Sequence, residues 1–348
     1  MNIEEEDLVT AYKKLKRLIY YDNNDLSIRK RLAEFETDPS FRENLSQIGS
    51  IINSDEPCQK RLFKKWLEEI DFRVLPKKIE DDVYNNCSLA DSEGRFISNV
   101  SSSDRYVVSK VNYFFDGPIA LHLIAVLWIM KEGYILDKLL GNECHGNRLY
   151  SNVGQENDHS PLLYRKYHEL YVRWRDLGIR KAQQLLVDEK KNVCILGLDI
   201  QEYYYHVVVD YNKITKSIAK YRNQIEHITT PSKLLLCIQA ICLKYREKIN
   251  PCLNLTHQIE FPEAGLPIGL CASQLLANWH LRKFDKKINS LIEPSYYGRY
   301  VDDILIVIPT DFDPSKKKDP IGNFINRIFV KSGILEPLNK GSYKIDGY

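Results

Sequence analysis

Residues 296–310 read YYGRYVDDILIVIPT, and no other stretch constrains the fold as much. Asp302 and Asp303 are adjacent acids between two apolar, aromatic and β-branched runs. Such runs favour extended strands, and a short polar pair between them favours a tight turn. The pattern therefore predicts a β-hairpin with both carboxylates at its tip. Asp-Asp is also simply a good turn pair. Residues 193–209, VCILGLDIQEYYYHVVV, weigh against that plain reading, because an apolar run there ends in the single acid Asp199. A buried strand that delivers one carboxylate beside a two-carboxylate tip gathers three like charges, and burial makes their repulsion worse. A hard divalent cation relieves it. Mg²⁺ suits carboxylates combined with phosphate oxygens. Two such ions, with Mn²⁺ as a substitute, can activate an attacking hydroxyl and steady a leaving pyrophosphate.

YVDD on a hairpin, preceded by the DIQEYYYHV strand end, resembles motifs C and A of reverse transcriptases. Between them, residues 265–281, GLPIGLCASQLLANWHL, resemble motif B of the bacterial retroelement enzymes: Gly-x-Pro, a Gly, a Ser, then Leu-x-Asn. The resemblance covers residues 101–348 and is nearest to the defence-associated and abortive-infection enzymes, through HGNRL (145–149), YVRWRD (171–176) and a long N-terminal helical region. It implies an α+β fold: the palm and fingers of a right-hand polymerase, with an antiparallel palm sheet. The expected division is an N-terminal helical extension over 1–75, fingers and a palm-supporting helix over 76–190, and palm over 191–348. No complete thumb is evident, so the chain is expected to be truncated or its thumb role to fall elsewhere.

The implied activity is RNA-directed DNA polymerisation in anti-phage defence, adding dNTPs to a primer 3′ end. Asp199, Asp302 and Asp303 would hold the metals, with the backbone carbonyl of Ile200 as a further ligand. Tyr204, five residues after Asp199, would sit under the sugar and exclude a 2′-hydroxyl, or else be one of three packing tyrosines with Tyr203 and Tyr205. Gly265, Pro267, Ile268 and Gly269 would line the nucleotide together with Tyr203. Lys110, Arg105 and Arg148 are candidates for the triphosphate, though a lone basic residue is usually a surface charge. Lys340 would protonate the leaving pyrophosphate. Expected partners are dNTPs, an RNA template or structured non-coding RNA, a DNA primer or product, and a protein partner or second copy, with no membrane.

One position departs from the family. Motif B usually carries Gln between Pro and Gly, and here Ile268 stands there, offering a stiff apolar surface without hydrogen bonds. This keeps a template-independent or protein- or RNA-primed nucleotidyltransferase open as an alternative. A catalytically idle RNA-binding scaffold is a further one. The three acids argue against idleness, because unpaired buried carboxylates are costly.

Charge does not announce a polynucleotide binder: 49 Lys and Arg against 47 Asp and Glu leave only +2, so any basic groove must arise from patterning. Eight cysteines occur without a Cys-x-x-Cys pair, which points to buried thiols in a reducing cytoplasm rather than zinc or disulfides. The acidic start after Met1 does not read as a secretory signal. The apolar run 119–130 is too short to span a bilayer and contains His122.

Apolar spacing predicts helices over 8–19, 26–35 and 57–70, each with a basic stripe; in the first, Lys13, Lys14, Lys16 and Arg17. These stripes would bind RNA phosphates or be solvated faces. Residues 75–78, 85–86 and 311–320 read as loops. Residues 105–115 read as a strand and 119–132 as a buried helix. Ser160-Pro161 should open a helix to 189, with Trp174 in the core. Further helices are expected over 212–227, 231–249, 270–292 and 324–331.

Overall fold

The computed structural model describes residues 2–21, 26–79, 108–155, 158–223, 230–256, 264–311, 319–338 and 341–345. Arg105, Lys340, Cys87, the 85–86 loop and Lys316 to Lys318 lie outside the described residues.

Its core is organised on one helix. α5 (Ile119–Trp128) is apolar on every side, and all ten of its residues are buried. A helix of that kind must be surrounded, and it packs against α1 (Glu5–Tyr21), α2 (Leu26–Thr37), α3 (Phe41–Asn53), α10 (Lys233–Thr256) and α11 (Cys271–His280). α5 runs on through a π turn (Ile129–Gly133) into α6 (Tyr134–Lys138). The combined helix Ile119–Lys138 is 20 residues long and apolar enough to cross a membrane, contrary to the expectation from the shorter run, but 89% of its apolar window is buried inside the protein. It is a core helix. α3 was not foreseen, although Leu45, Ile48, Ile51 and Ile52 form its buried stripe.

α1 buries Leu8, Ala11, Leu15 and Ile19, and also Lys14, which the basic-stripe reading placed outside. The Lys14 ammonium is sealed against Asp158 at 3.0 Å and donates to the carbonyls of Ser160 and Leu162. Those contacts hold the chain around Ser160 in an irregular path. α7 therefore starts later than Ser160-Pro161 suggested and spans Tyr167–Val187.

The segment expected to be a loop at 75–78 is a strand. After α4 (Arg61–Glu68), β1 (Asp71–Ile79) pairs antiparallel with β2 (Val108–Asp116), with an irregularity beside Pro76, which has no N–H to give the ladder. The second sheet has the order β3 (Val193–Asp199), β5 (Asp303–Pro309), β4 (Tyr296–Tyr300), all antiparallel. α7 covers it. A Cβ on Gly178 of α7 would stand 2.5 Å from Leu305, so helix and sheet approach at that point only because the residue is glycine. Trp174 is buried in the same layer.

Two short helices, α8 (Tyr203–His206) and α9 (Tyr211–Tyr221), follow β3. α10 is capped by Ser232, whose hydroxyl accepts from Leu235 N at 3.1 Å. The helix expected over 270–292 is divided at Leu281 into α11 and α12 (Arg282–Leu291). There the carbonyls of Asn278 and Trp279 accept from the side chains of Arg299 and Arg282, which compete with the helical ladder. α13 (Pro320–Ile325) continues into a π turn, and β6 (Leu335–Pro337) pairs with β7 (Tyr343–Ile345).

Candidate active site

The β3–β5 register sets Asp199 opposite Asp303. β4 and β5 are joined by a two-residue turn, Val301-Asp302, closed by the pair Tyr300 and Asp303. Val301 has φ +61°, rare for a β-branched residue and strained by about 1–3 kcal/mol. The chain leaving β3 is tied to this turn, with Ile200 N donating to the Asp302 carbonyl at 3.3 Å. The three acids thus share one end of the sheet. Burial first, then the charges of Asp303 and Asp199, push the Asp302 carboxyl up to about 6, against a lowering pull from Lys77 on β1. Asp303 is raised by burial and by Asp199.

Donor chemistry at this end fits a hard divalent cation: carboxylate oxygens whose charges oppose one another. Among the described residues, however, no three His, Cys, Asp or Glu side chains converge tightly enough to cage an ion by themselves. Mg²⁺ characteristically completes its shell with water and substrate phosphates, so an open arrangement suits it.

The three tyrosines after Asp199 separate clearly. Tyr203 is buried, and its hydroxyl donates to the Ala277 carbonyl at 2.7 Å, so it is packing rather than a nucleotide contact. Tyr205 is buried and accepts from Tyr113 N at 2.8 Å. Tyr204 is the one whose surroundings include an acid of the turn: burial first, then the Asp302 charge, raise its phenol, and Asn147 lies beside it.

The motif B loop is stitched to both neighbours through its backbone. Gly265 (φ +125°) donates to the Val207 carbonyl at 3.0 Å, and Leu266 N donates to the Tyr204 carbonyl at 2.8 Å. The Ile268 carbonyl accepts from Phe115 N on β2 at 2.7 Å. Pro267 is buried, Ile268 half-buried, and Gly269 (φ +96°) exposed. Gly265 and Gly269 sit where only glycine is comfortable.

The two basic candidates among the described residues differ. Arg148 donates to Asp137 Oδ1 at 2.9 Å and to the carbonyls of Gly141, Cys144 and Asp137, so it braces its own loop and is not offered to a triphosphate. Lys110 pairs with Glu202 at 3.4 Å, beside the turn that follows Asp199.

Beneath the aspartate turn lies a polar network that the sequence did not reveal. Arg299, completely buried in β4, grips Asp285 with Nε–Oδ1 at 2.7 Å and Nη2–Oδ2 at 2.9 Å. It also donates to Asn278 Oδ1 at 2.9 Å and to the Val301 carbonyl at 3.3 Å. Tyr297 OH donates to Asp285 at 2.6 Å. Asn278 in turn donates to the Gly146 carbonyl at 2.8 Å. His145 N donates to the Arg299 carbonyl at 2.9 Å, and a Cβ on Gly146 would be 2.7 Å from Val301 N. His145-Gly146-Asn147 is therefore a brace for the turn. The available signal was an arginine inside an otherwise apolar strand and the Asn of Leu-x-Asn. Lys77 was also missed, because it read as loop.

No family model matches the chain. It is similar to a bacterial retron reverse transcriptase. That relative, the retron Ec73 reverse transcriptase of Escherichia coli, is 26% identical over 132 residues, which are 36% of this chain and 36% of the relative. The match thus spans about a third of the relative's length.

Proposed function

We propose that the chain is an RNA-directed DNA polymerase that extends a primer 3′ end with dNTPs. The observation that carries this reading is the β3–β5 register that opposes Asp199 and Asp303, with Asp302 at the adjacent turn. Asp199 and Asp302 would hold Mg²⁺, and Asp303 would add to the negative charge around it. When bound, Mg²⁺ would supply a hard Lewis acid that makes the primer hydroxyl more acidic and offsets charge on the departing pyrophosphate. The chain's own part is positioning, which carries most of the acceleration in phosphoryl transfer. Arg299 and Asn278 hold the turn at its strained φ. Tyr204, beside Asn147 and near Asp302, would exclude a 2′-hydroxyl with its ring. The glycines of motif B let the backbone run close to the nucleotide.

The place of the chain among defence-associated enzymes rests on the sequence resemblance in HGNRL, YVRWRD and the helical extension. Copying of a template rests on the retained Pro267-to-Gly269 turn, with Ile268 altering the polar contacts. Extension of a labelled primer on several defined RNA templates, followed by sequencing, tests the proposal. Products complementary to each template are expected. One fixed product whatever the template would favour the template-independent alternative, and no product with any template would leave the scaffold reading.

A further inference from the structure

A cleft of about 470 Å³ opens between α1 and the segment that leads into α7. α1 brings Arg17 and Tyr21 to it, the segment brings Arg165, Lys166 and Tyr167, and Asn147 also lines it. None of its lining residues among those described is acidic.

Two basic residues of α1 are engaged away from the cleft. Lys14 is sealed against Asp158, and Lys16 is paired with Glu36. Arg17 and Arg165 are exposed and have no ion pair among the described residues. Lys166 has an exposed i,i+3 contact to Glu169 at 3.7 Å, of a kind that contributes little. The aromatic rings are open to solvent as well: Tyr21 is 43% and Tyr167 60% exposed.

The cleft reaches the active site. Asn147 lines it and directly follows Gly146, which packs against Val301 of the aspartate turn. The Tyr167 carbonyl accepts from the hydroxyl of Tyr300, the residue before the aspartate turn, at 3.3 Å.

We propose that this cleft seats a single-stranded stretch of polynucleotide, with phosphodiesters against Arg17, Arg165 and Lys166 and a base stacked on Tyr21 or Tyr167. Cations that track a backbone, interleaved with exposed aromatic faces, are the chemistry that holds single strands with little regard to sequence. As a seat for the strand that enters the active site, it rests on the polymerase reading. As a binding site it does not.

The test is equilibrium binding of fluorescent single-stranded 12-mers, oligo(U) in one arm and oligo(dT) in the other, to the full chain without nucleotide, across a salt series. Arg17→Gln/Arg165→Gln/Lys166→Gln should weaken binding at least ten-fold and flatten the log–log salt slope by about two, at about 0.7 for each phosphate no longer neutralised. Tyr21→Leu/Tyr167→Leu should weaken it about five-fold or more with the slope unchanged. Tighter binding of oligo(U) would identify the strand as RNA, and of oligo(dT) as DNA; either supports the site. Folded variants that bind both oligomers with wild-type affinity and slope would overturn it, even if the chain polymerises. Loss of binding in these variants, in a chain that polymerises nothing, would leave the cleft standing and remove the polymerase reading instead.

Discussion

Arg299 and Asp285 form a fully buried, two-pronged ion pair directly beneath the aspartate turn, with nitrogen–oxygen distances of 2.7 and 2.9 Å. The pair links the hairpin to the helix that follows motif B. Removing one partner strands the other charge in the core. Arg299→Met should therefore cost about 3–5 kcal/mol, read from the denaturant midpoint at constant slope. Adding Asp285→Leu should restore most of that stability, because an apolar pair of similar volume replaces the ionic one. Nucleotide incorporation should stay low in the double variant, since Val301 and Asn278 still lack their donor. Full recovery of both would show that Arg299 only fills space.

Lys14 is the cation on which the N-terminal helix is fixed to the segment before α7. Lys14→Met should destabilise by about 3 kcal/mol by leaving Asp158 and two carbonyls without their donor. Lys13→Met, at an exposed position on the same helix, should change stability by no more than about 0.5 kcal/mol. Chemical denaturation of both variants checks this; equal effects would contradict the burial of Lys14.

Glu132 is buried in the π turn after α5 and accepts from Ser232 OH at 2.6 Å. Burial raises its carboxyl above the ordinary value, against the lowering effects of the Ser232 bond and Arg222. As pH rises, the unfolded chain loses this proton first, so the folded state binds more protons and stability falls with pH across the interval between the two pKa values. Below the unfolded value the group costs nothing. Glu132→Gln, which keeps an acceptor for Ser232, should raise the melting temperature most at pH 7–8, and the gain should shrink towards pH 4. A gain independent of pH would contradict the account.

Tyr204 should govern sugar choice. Tyr204→Val should lower the dNTP-over-rNTP preference at least ten-fold while Tyr203→Phe leaves it unchanged, because the Tyr203 hydroxyl is bonded to the Ala277 carbonyl. Single-nucleotide incorporation with matched dNTP and rNTP measures it. An unchanged ratio in a folded Tyr204→Val would assign Tyr204 to packing.

The sheet end that carries Asp199, Asp302 and Asp303 was legible in the sequence, because strands announce themselves by β-branched runs and a turn pair needs no partner. Four things were not. Lys14 and Arg148 look like surface charges in a linear pattern, and only tertiary contacts with Asp158 and Asp137 bury or bind them. α7 begins at Tyr167 instead of Ser160-Pro161, because Lys14 claims carbonyls that a helix would have used. The Arg299 network joins residues 146, 278, 285 and 299, which no local periodicity connects. Tyr203 and Tyr204 are adjacent in sequence and indistinguishable there; the α11 carbonyl that takes the Tyr203 hydroxyl separates them.

If the acids at the end of β3 and at the β4–β5 turn are the catalytic centre, Asp302→Asn removes activity without unfolding the chain. The substitution removes a carboxylate that burial and its two acidic neighbours make costly to ionise. Primer extension with dNTPs and Mg²⁺, run beside thermal melting at pH 7.5, should show incorporation falling by at least a thousand-fold while the melting temperature holds or rises. Wild-type incorporation by the folded Asp302→Asn protein would contradict the account.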